Sequence, residues 1–457
     1  MEPKRRIFGT DGVRGVANVH PMTVEMAMAI GQGVAAAVGR DGRRHTVVIG
    51  KDTRLSGYMF ENALVAGILS MGVDVHLVGP LPTPAIAFIT RNMRADAGIV
   101  ISASHNPYTD NGIKLFGRDG YKLPDAKEAR IEEYALGVLN GRQDLPRPRA
   151  DRIGKARRIE DAPGRYIVFL KHAFPADYLL EGITLAVDCA HGAAYRVAPA
   201  VFSELGADLV LRGVEPDGTN INHGVGALHP QGVQEMVRAG RADLGLAFDG
   251  DGDRLIMVDE KGEIVDGDHI MAICADHMLR QGELRQATVV GTVMSNLGLE
   301  LCLRERGIDL LRTQVGDRYV VEAMRAGGYN LGGEQSGHVV FLDHNTTGDG
   351  ILSALMVLKV MVTTGRSLHE LKSIFTPVPQ VLVNLPVAEK RPLEEAPTLQ
   401  QAMSAQQDRL GRRGRLLVRY SGTEAKLRIM VEAEDEDLMR RAADELAEAA
   451  RRDLGAG

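Results

Sequence analysis

The sequence lacks the features of several protein classes. Its 457 residues include no tryptophan, and the three cysteines, Cys189, Cys274 and Cys302, are scattered and odd in number. Such cysteines give neither a disulfide framework nor the spacing of a zinc site, which predicts a reducing, cytoplasmic location. The sequence contains no run of about 18 apolar residues, and no apolar stretch of signal-peptide length follows its basic start. We therefore expect no membrane span and no secretory signal.

Several catalytic and nucleotide-binding motifs are also absent. Gly50-Lys51 and Gly154-Lys155 lack the upstream glycine and the following Ser or Thr of a P-loop, and no Gly-x-Gly-x-x-Gly occurs, which disfavours an ATP-driven kinase. The nucleophile elbow Gly-x-Ser-x-Gly is missing as well. A net charge of −6, with both signs spread along the chain, argues against a nucleic-acid binder that works by general basicity.

The most informative feature that is present is a run of alternating aspartates and glycines, Asp249-Gly250-Asp251-Gly252-Asp253, followed by Arg254. Three carboxylates at this spacing can converge on one hard cation, and glycine lets the backbone curl tightly enough for them to do so. We predict a Mg²⁺ site, which usually serves phosphate chemistry. An EF-hand is disfavoured because Arg254 occupies the position that needs glycine and because strand-like runs flank the loop. An acidic surface turn is the other alternative.

An internal repeat predicts the architecture. Gly-x-Asp opens a strand-like run at Gly72, Gly206 and Gly307, each time after a helical pattern that itself follows an apolar run. The unit is typical of a βαβ arrangement with a mixed or mostly parallel sheet. We predict three such α/β modules and a smaller C-terminal α+β domain around a central cleft.

Three polar loops occupy the same place in these modules. Ser102–Pro107 follows Ala95–Ile101, the aspartate run follows Ala242–Phe248, and Glu334–His338 follows Tyr329–Gly333. Each loop leaves the carboxyl end of a strand, where open α/β sheets bind ligands. Composition places the domain limits at 1–155, 156–259, 260–376 and 377–457, with a basic, Pro-containing linker around Gln143–Arg158 and a break at Thr376–Pro379.

Within these loops, Ser104 is a candidate for phosphate chemistry. A serine hydroxyl is a weak nucleophile unless a base or a metal assists it, and the predicted metal loop occupies the equivalent position in the next module. Lys114 could add positive charge or a proton, although a solvated lysine is equally compatible with the pattern. Further candidates for phosphate binding are the glycine-rich segment around Arg14 and the C-terminal segment Arg419–Arg428, whose alternative readings are plain turns.

Taken in order, these segments resemble the α-D-phosphohexomutase family over essentially the whole chain. The resemblance is carried by seven segments: Phe8–Gly15, Lys51–Gly57, Ser102–Pro107, Asp249–Arg254, Val315–Val320, Gly333–His338 and Arg419–Arg428. It implies that Ser104 is phosphorylated in the active enzyme and that Ser104, Asp249, Asp251 and Asp253 ligate one Mg²⁺. The chain departs from the pattern at Tyr420 and Ala425, where prolines are usual for the subfamily that it resembles most.

The resemblance also implies roles for the remaining residues. Arg14, His105 and Lys114 match active-site positions, as does Arg254, for which it implies substrate binding. Glu334 and Ser336 would bind the hydroxyl groups of the sugar. A last set would hold the phosphate that is not reacting: Arg419, Ser421, Gly422, Thr423 and Arg428.

The implied reaction is the interconversion of glucosamine 6-phosphate and glucosamine 1-phosphate, which would supply UDP-N-acetylglucosamine synthesis. Glucosamine 1,6-bisphosphate would be the intermediate and activator, and a hinge before the fourth domain would open the cleft. The choice of sugar rests on Gly9–Arg14 and Glu334–Ser336.

The alternatives are a phosphomannomutase or phosphoglucomutase, a metal-dependent sugar-phosphate phosphatase and a non-catalytic sensor. We expect a small-molecule hexosamine phosphate as partner, and neither nucleic acid nor membrane; the oligomeric state is left open, with a homodimer as one candidate.

Overall fold

The computed structural model describes residues 6–9, 11–38, 43–141, 147–411, 413–421 and 425–455. It contains two compact units. The first holds the residues up to Thr292 together with Leu311–Ser373, and the second holds Val293–Leu310 together with the residues from Ile374 onward. The described residues form four sheets, of six, five, four and three strands. None of the helices in these ranges is long and apolar enough to cross a membrane.

The first sheet has the strand order β1-β5-β4-β2-β3-β6. Strands β4, β2, β3 and β6 run parallel, whereas β5 and β1 are antiparallel to their neighbours. The strands β2 and β4 are mostly apolar and almost fully buried, as expected of strands that are covered on both faces. The elements are β1 (Val13–Val16), α1 (Val24–Ala37), β2 (Thr46–Lys51), α2 (Ser56–Ser70), β3 (Asp74–Pro80), α3 (Thr83–Asn92), β4 (Ala97–Ile101), β5 (Asp110–Gly117), α4 (Asp125–Leu139) and β6 (Ala156–Arg158).

The second sheet has the order β11-β10-β9-β7-β8. Its strands β8, β7 and β9 are parallel, and β10 and β11 return antiparallel. The elements are α5 (Ala162–Lys171), β7 (Thr184–Asp188), α6 (Val197–Glu204), β8 (Asp208–Arg212), α7 (Gln231–Arg238), β9 (Leu244–Phe248), β10 (Leu255–Val258) and β11 (Ile264–Val265).

The third sheet has the order β13-β12-β14-β15, in which β12 and β14 are parallel and β15 is antiparallel to β14. The elements are α8 (Gly267–Arg280), β12 (Thr288–Thr292), α9 (Leu297–Glu305), β13 (Asp309–Thr313), α10 (Asp317–Gly327), β14 (Leu331–Gly333), β15 (Val339–Phe341), α11 (Gly350–Thr364) and α12 (Leu368–Lys372). Helix α9 belongs to the second compact unit.

The fourth sheet is antiparallel, with the order β16-β18-β17. The terminal helix packs its apolar stripe on this sheet, where Leu446 and Ile429 are fully buried in one core. The elements are β16 (Gln380–Pro386), α13 (Pro397–Leu410), β17 (Gly414–Tyr420), β18 (Lys426–Ala433) and α14 (Glu436–Leu454). The predicted class, three α/β modules with mixed sheets and a smaller α+β domain, is therefore confirmed.

The Gly-x-Asp repeat of the sequence marks the start of an equivalent strand in each of the three modules. Asp74, Asp208 and Asp309 are the first residues of β3, β8 and β13. The three polar loops also lie in equivalent places, because each connects a strand with a parallel neighbour to the antiparallel strand that follows it in the sheet. Each loop reverses the chain through a residue with positive φ: Ser104 at 52°, Gly252 at 69° and Gly337 at 92°. The first of these residues is a serine, and residues other than glycine are uncommon at positive φ.

The basic stretch that the sequence suggested as a linker ends in β6, which pairs in parallel with β3 at the edge of the first sheet. All three residues of β6 are exposed. An edge strand without buried apolar side chains gives no periodicity signal, which is why the sequence did not indicate it. Residues 142–146 of this stretch lie outside the described residues.

A buried polar cluster lies at the start of α11. Asp349 caps this helix by accepting from the backbone N–H of Leu352 at 3.0 Å, and its other oxygen accepts from the Tyr166 hydroxyl at 2.7 Å and from Asn345 Nδ2 at 3.0 Å. Burial raises the pKa of Asp349 to about 6. The next residue, Gly350, donates its backbone N–H to the carbonyl oxygen of Gly252 in the aspartate loop at 3.0 Å.

We predict that Asp349→Asn removes a pH-dependent loss of stability. The pKa of Asp349 is higher in the folded chain than its ordinary value of 3.8, so between these two pH values the folded state binds a proton that the unfolded state has released. Stability from this group is full below about pH 4 and falls as the pH rises through 6, by up to about 3 kcal/mol. Thermal midpoints of both proteins, measured from pH 4.5 to pH 7.5, should diverge in favour of the variant. A constant difference would contradict the prediction.

Candidate active site

Ser104 lies on the loop between β4 and β5, with 2% of its surface exposed. Its hydroxyl donates to Asp249 Oδ2 at 2.7 Å, and the Nδ1 atom of the adjacent His105 lies 3.2 Å from Ser104 Oγ. The structure thus brings together the serine and the aspartate run, which are separated by 145 positions in the sequence. Burial, together with the positive charges of Arg254 and Arg14, lowers the pKa of His105 to about 4, so its ring is neutral at pH 7.

Two residues that directly follow β2, Asp52 and Arg54, fix the serine loop through hydrogen bonds. Ser102 Oγ donates to Asp52 Oδ2 at 2.6 Å and accepts from the backbone N–H of Ser104 at 2.9 Å. Arg54 is fully buried and pairs with Asp52 through its Nε at 2.8 Å. Its other nitrogens donate to carbonyl oxygens of the loop, those of Ser104, Asn106, Pro107 and Asp110. A fully buried arginine must have such partners, and here they fix the backbone around the serine.

The three aspartates of the run lie together. Oxygen atoms of Asp249, Asp251 and Asp253 are within 4.8 Å of one another, and the three residues are at most 5% exposed. Among the described residues, Asp251 Oδ1 and Asp253 Oδ1 have no hydrogen-bond partner. Buried carboxylate oxygens without partners are costly, and a set of three is the donor type that Mg²⁺ prefers. The residues present therefore fit a divalent cation.

The aspartates differ in their electrostatic environment. Burial and the neighbouring charges of Asp253 and Asp251 raise the pKa of Asp249 well above its usual range. Burial and the charge of Asp251 also raise the pKa of Asp253. Burial acts in the same direction on Asp251, but the charge of Lys114 and hydrogen bonds from Lys114 and Thr83 outweigh it and hold the pKa of Asp251 below its usual value. A bound cation would favour the ionised form of all three.

Lys114 on β5 provides the nearest positive charge. Its Nζ donates to Asp251 Oδ2 at 2.8 Å and lies 3.3 Å from Asp11 Oδ2 and 3.7 Å from Asp253 Oδ2. Burial disfavours the ammonium, but the charges of these three aspartates raise its pKa above the ordinary value. The geometry thus favours a permanent positive charge at this position. Arg14 on β1 pairs with the same Asp11.

Hydrogen bonds from Thr83 and from within the run itself hold the aspartate loop. Thr83, at the start of α3, donates its hydroxyl to Asp251 Oδ2 at 2.6 Å and its N–H to the Asp251 carbonyl oxygen at 2.9 Å. Arg254 donates its backbone N–H to Asp249 Oδ1 at 3.2 Å, and its Nε lies 4.0 Å from Asp253 Oδ1. Thr83 gave no signal in the sequence, because a single threonine before a helix is common and its partner is 168 positions away.

The third loop lies beside the aspartates. Leu255, the first residue of β10, donates its N–H to the carbonyl oxygen of Gly337 at 3.1 Å. His338 is 3% exposed, and its Nε2 lies 3.6 Å from Asp317 Oδ2 and 4.0 Å from Asp253 Oδ2. Glu334 accepts from the backbone N–H of Gly316 at 3.0 Å.

Two further features of this region are an exposed serine and a lysine that forms ion pairs with two aspartates. Ser336 is exposed. Lys122 bridges Asp11 and Asp317. Sequence reasoning missed Asp11, Lys122 and Asp317 as site residues, although Asp11 and Asp317 lie within segments that carry the family resemblance.

The C-terminal loop belongs to the second compact unit. Arg419 on β17 is directly opposite Arg428 on β18 in the antiparallel register. Burial and the charge of Arg428 lower the pKa of Arg419. Residues in opposite positions lie on the same face of the sheet, so two guanidinium groups that can bind an anion are brought to one face here. Ser421 is 2% exposed and donates its N–H to the Lys426 carbonyl oxygen at 2.8 Å. The candidates Gly422 and Thr423 lie outside the described residues.

Four family models match the chain, all described as phosphoglucomutase/phosphomannomutase domains. The three alpha/beta/alpha models match residues 5–139, 165–262 and 266–378, and the C-terminal model matches residues 382–449. Together they cover most of the sequence.

Full-length relatives and a solved structure agree with these matches. A phosphoglucosamine mutase from Anaeromyxobacter sp. is 60% identical over 99% of this chain and 96% of its own length. One from Geotalea uraniireducens is 59% identical over 99% of both chains. The crystal structure of a phosphoglucomutase/phosphomannomutase family protein from Burkholderia thailandensis has a TM-score of 0.83 and 25% identity, covering 99% of this chain and 98% of that chain.

Proposed function

Since the chain belongs to the phosphoglucomutase/phosphomannomutase family of phosphohexomutases, we propose that it interconverts glucosamine 6-phosphate and glucosamine 1-phosphate. One observation carries the chemistry: the Ser104 hydroxyl lies 2.7 Å from one of three buried carboxylates. The sugar is proposed from the relatives named phosphoglucosamine mutase, which are about 60% identical over nearly the whole chain.

In the proposed reaction, phosphorylated Ser104 transfers its phosphoryl group to the free hydroxyl of the sugar phosphate. The bond between phosphorus and the serine oxygen breaks, a bond between phosphorus and the sugar oxygen forms, and the proton of the sugar hydroxyl passes in net terms to the serine oxygen. The product is glucosamine 1,6-bisphosphate. After the sugar has turned, the second phosphate returns to Ser104 by the reverse chemistry.

Asp249, Asp251 and Asp253, with phosphorylated Ser104, would hold Mg²⁺, which when bound neutralises phosphate charge and polarises the phosphoryl group. Lys114 supplies a fixed positive charge beside the aspartates, consistent with its raised pKa. His105 is neutral at pH 7 and lies within 3.2 Å of the reacting oxygen, where it can exchange a hydrogen bond with it. Arg14 lies next to these groups through Asp11, and we propose that it stabilises the charge of the transferred group.

We propose that the remaining residues bind and orient the substrate. Glu334 and Ser336 offer a carboxylate and an exposed hydroxyl to the sugar, and Arg254 offers a guanidinium beside the aspartate loop. The phosphate that does not react would bind to Arg419, Ser421, Gly422, Thr423 and Arg428. The proposal for this last set is supported by the opposed arginines of β17 and β18.

Turnover of three sugar phosphates tests the proposed substrate. We expect glucosamine 6-phosphate to be converted with a kcat/KM at least about tenfold above those of glucose 6-phosphate and mannose 6-phosphate, each supplied with Mg²⁺ and a trace of its 1,6-bisphosphate. A higher value for glucose or mannose phosphate would indicate a phosphoglucomutase or phosphomannomutase instead.

Free phosphate, measured in the same reactions, separates a mutase from a phosphatase. A mutase retains the phosphoryl group and should release almost none. Release of phosphate at the rate of substrate consumption would identify a hydrolase.

A further inference from the structure

Ser104 has a backbone conformation that a serine adopts only when its surroundings impose it. Its φ of 52° lies in the left-handed region, where the side chain is crowded by its own carbonyl group. This conformation directs Oγ toward Asp249 while the backbone N–H points at Ser102 Oγ. Residues in such conformations persist when neighbouring groups hold them, and they are frequent at sites of chemistry.

Two side-chain donors hold the carbonyl oxygen of Ser104. Arg54 Nη2 and Asn222 Nδ2 each donate to it at 2.9 Å. The same two nitrogen atoms also donate to the carbonyl oxygen of Asn106, at 2.8 Å and 3.1 Å. Arg54 lies in the segment that joins β2 to α2, in the module that carries the serine loop, whereas Asn222 comes from the segment that joins β8 to α7. The serine carbonyl is thus fixed by two separate modules of the first unit.

The aspartate loop packs closely against the same carbonyl group. A Cβ atom on Gly250 would lie 2.5 Å from the Ser104 carbonyl oxygen and 2.7 Å from Asn222 Nδ2, so only glycine allows this approach. Asn222 is itself left-handed, with a φ of 61°, and its backbone N–H donates to the Ala190 carbonyl oxygen at 2.9 Å. Asparagine is among the few residues that adopt this conformation readily, and among these it alone carries a neutral side-chain amide that can reach two carbonyl oxygens at once.

We propose that Asn222 is a positioning residue for phosphoryl transfer at Ser104, an inference that rests on the function proposed above. The direction of a carbonyl group is coupled to the ψ angle of its residue, so holding the Ser104 carbonyl holds the conformation that aims Oγ at the aspartates. Loss of the amide leaves Arg54 as the single side-chain donor to this oxygen among the described contacts and lets the loop relax toward ordinary backbone conformations.

Asn222→Gly and Asn222→Asp test this role. Glycine keeps the left-handed backbone without strain and removes the donor, whereas aspartate keeps the shape and places an acceptor against two carbonyl oxygens. We expect kcat to fall about 10- to 100-fold in both variants, with KM for glucosamine 6-phosphate changed by less than about threefold, because a displaced nucleophile slows transfer without removing substrate contacts. Thermal midpoints measured in parallel establish that both variants are folded.

Asn220→Ala is the matched control. Asn220 lies in the same segment and donates its amide to the carbonyl oxygen of Glu215, with no described contact to the serine loop, so its kcat should remain within twofold of the parent. An equal loss of kcat in this control, or normal kcat in both Asn222 variants beside an inactive Ser104→Ala, overturns the positioning role. Full activity of Ser104→Ala would instead overturn the proposed function.

Discussion

Replacing Ser104 by alanine is expected to lower mutase turnover by about three orders of magnitude or more, because in the proposed mechanism the serine oxygen carries the phosphoryl group between the two positions of the sugar. Ser104→Gly should be equally inactive. Glycine adopts the positive φ of this position without strain, so the two variants separate loss of the hydroxyl from backbone effects. Turnover is measured with glucosamine 6-phosphate, Mg²⁺ and a trace of glucosamine 1,6-bisphosphate.

Intact-mass analysis gives a second readout for the same variants. The parent protein should carry a phosphoryl adduct after incubation with the bisphosphate, and both Ser104 variants should not. Ser203→Ala is the matched control, since Ser203 is an exposed serine on α6 and its loss should change neither readout. Near-normal turnover of Ser104→Ala would leave the phosphoserine mechanism without support.

Asp251→Asn is expected to lower turnover at least about 100-fold and to raise the Mg²⁺ concentration needed for half-maximal activity. The change removes one charged oxygen from the trio and the partner of the Lys114 ammonium at 2.8 Å, so the remaining carboxylates bind a divalent cation less tightly. The measurement is a Mg²⁺ titration of initial rates after removal of bound metal with a chelator. The parent should lose activity on chelation and regain it with Mg²⁺.

Asp208→Asn is the control for this experiment, because Asp208 is an exposed aspartate at the start of β8. Its titration curve should match that of the parent. If Asp251→Asn retained the parent's turnover and half-saturating Mg²⁺ concentration, the aspartate run would not be the metal site. Thermal midpoints of all three proteins exclude loss of fold as the cause.

The sequence was sufficient for the architecture because the signals involved are local. Apolar runs predicted strands close to their observed positions: Ala95–Ile101 contains β4, and Tyr329–Gly333 contains β14. The Gly-x-Asp repeat marked the starts of β3, β8 and β13, and the loops after equivalent strands were placed correctly in the topology. The edge strand β6 was missed because its three exposed residues carry no apolar pattern.

The sequence also named the groups of the candidate site that belong to motifs, such as Ser104 and the aspartate run. It did not reveal Arg54, Thr83 or Asn222 as their partners. Arg54 lies in the segment Lys51–Gly57, which carries the resemblance without indicating a partner, and Thr83 and Asn222 lie in no motif. Each acts on a loop that is between 50 and 168 positions away in the chain.

By itself, therefore, the sequence determined the modules, the order of most of their strands along the chain and the candidate residues for phosphate chemistry. These follow from periodicity and from residue types at short spacing. Only the tertiary structure decided which of those residues are in contact, in which direction the pKa of each aspartate is shifted, and which groups hold the serine in its left-handed conformation. Burial and contacts between distant segments set these properties, as the opposite pKa shifts of Asp249 and Asp251, two residues apart, illustrate.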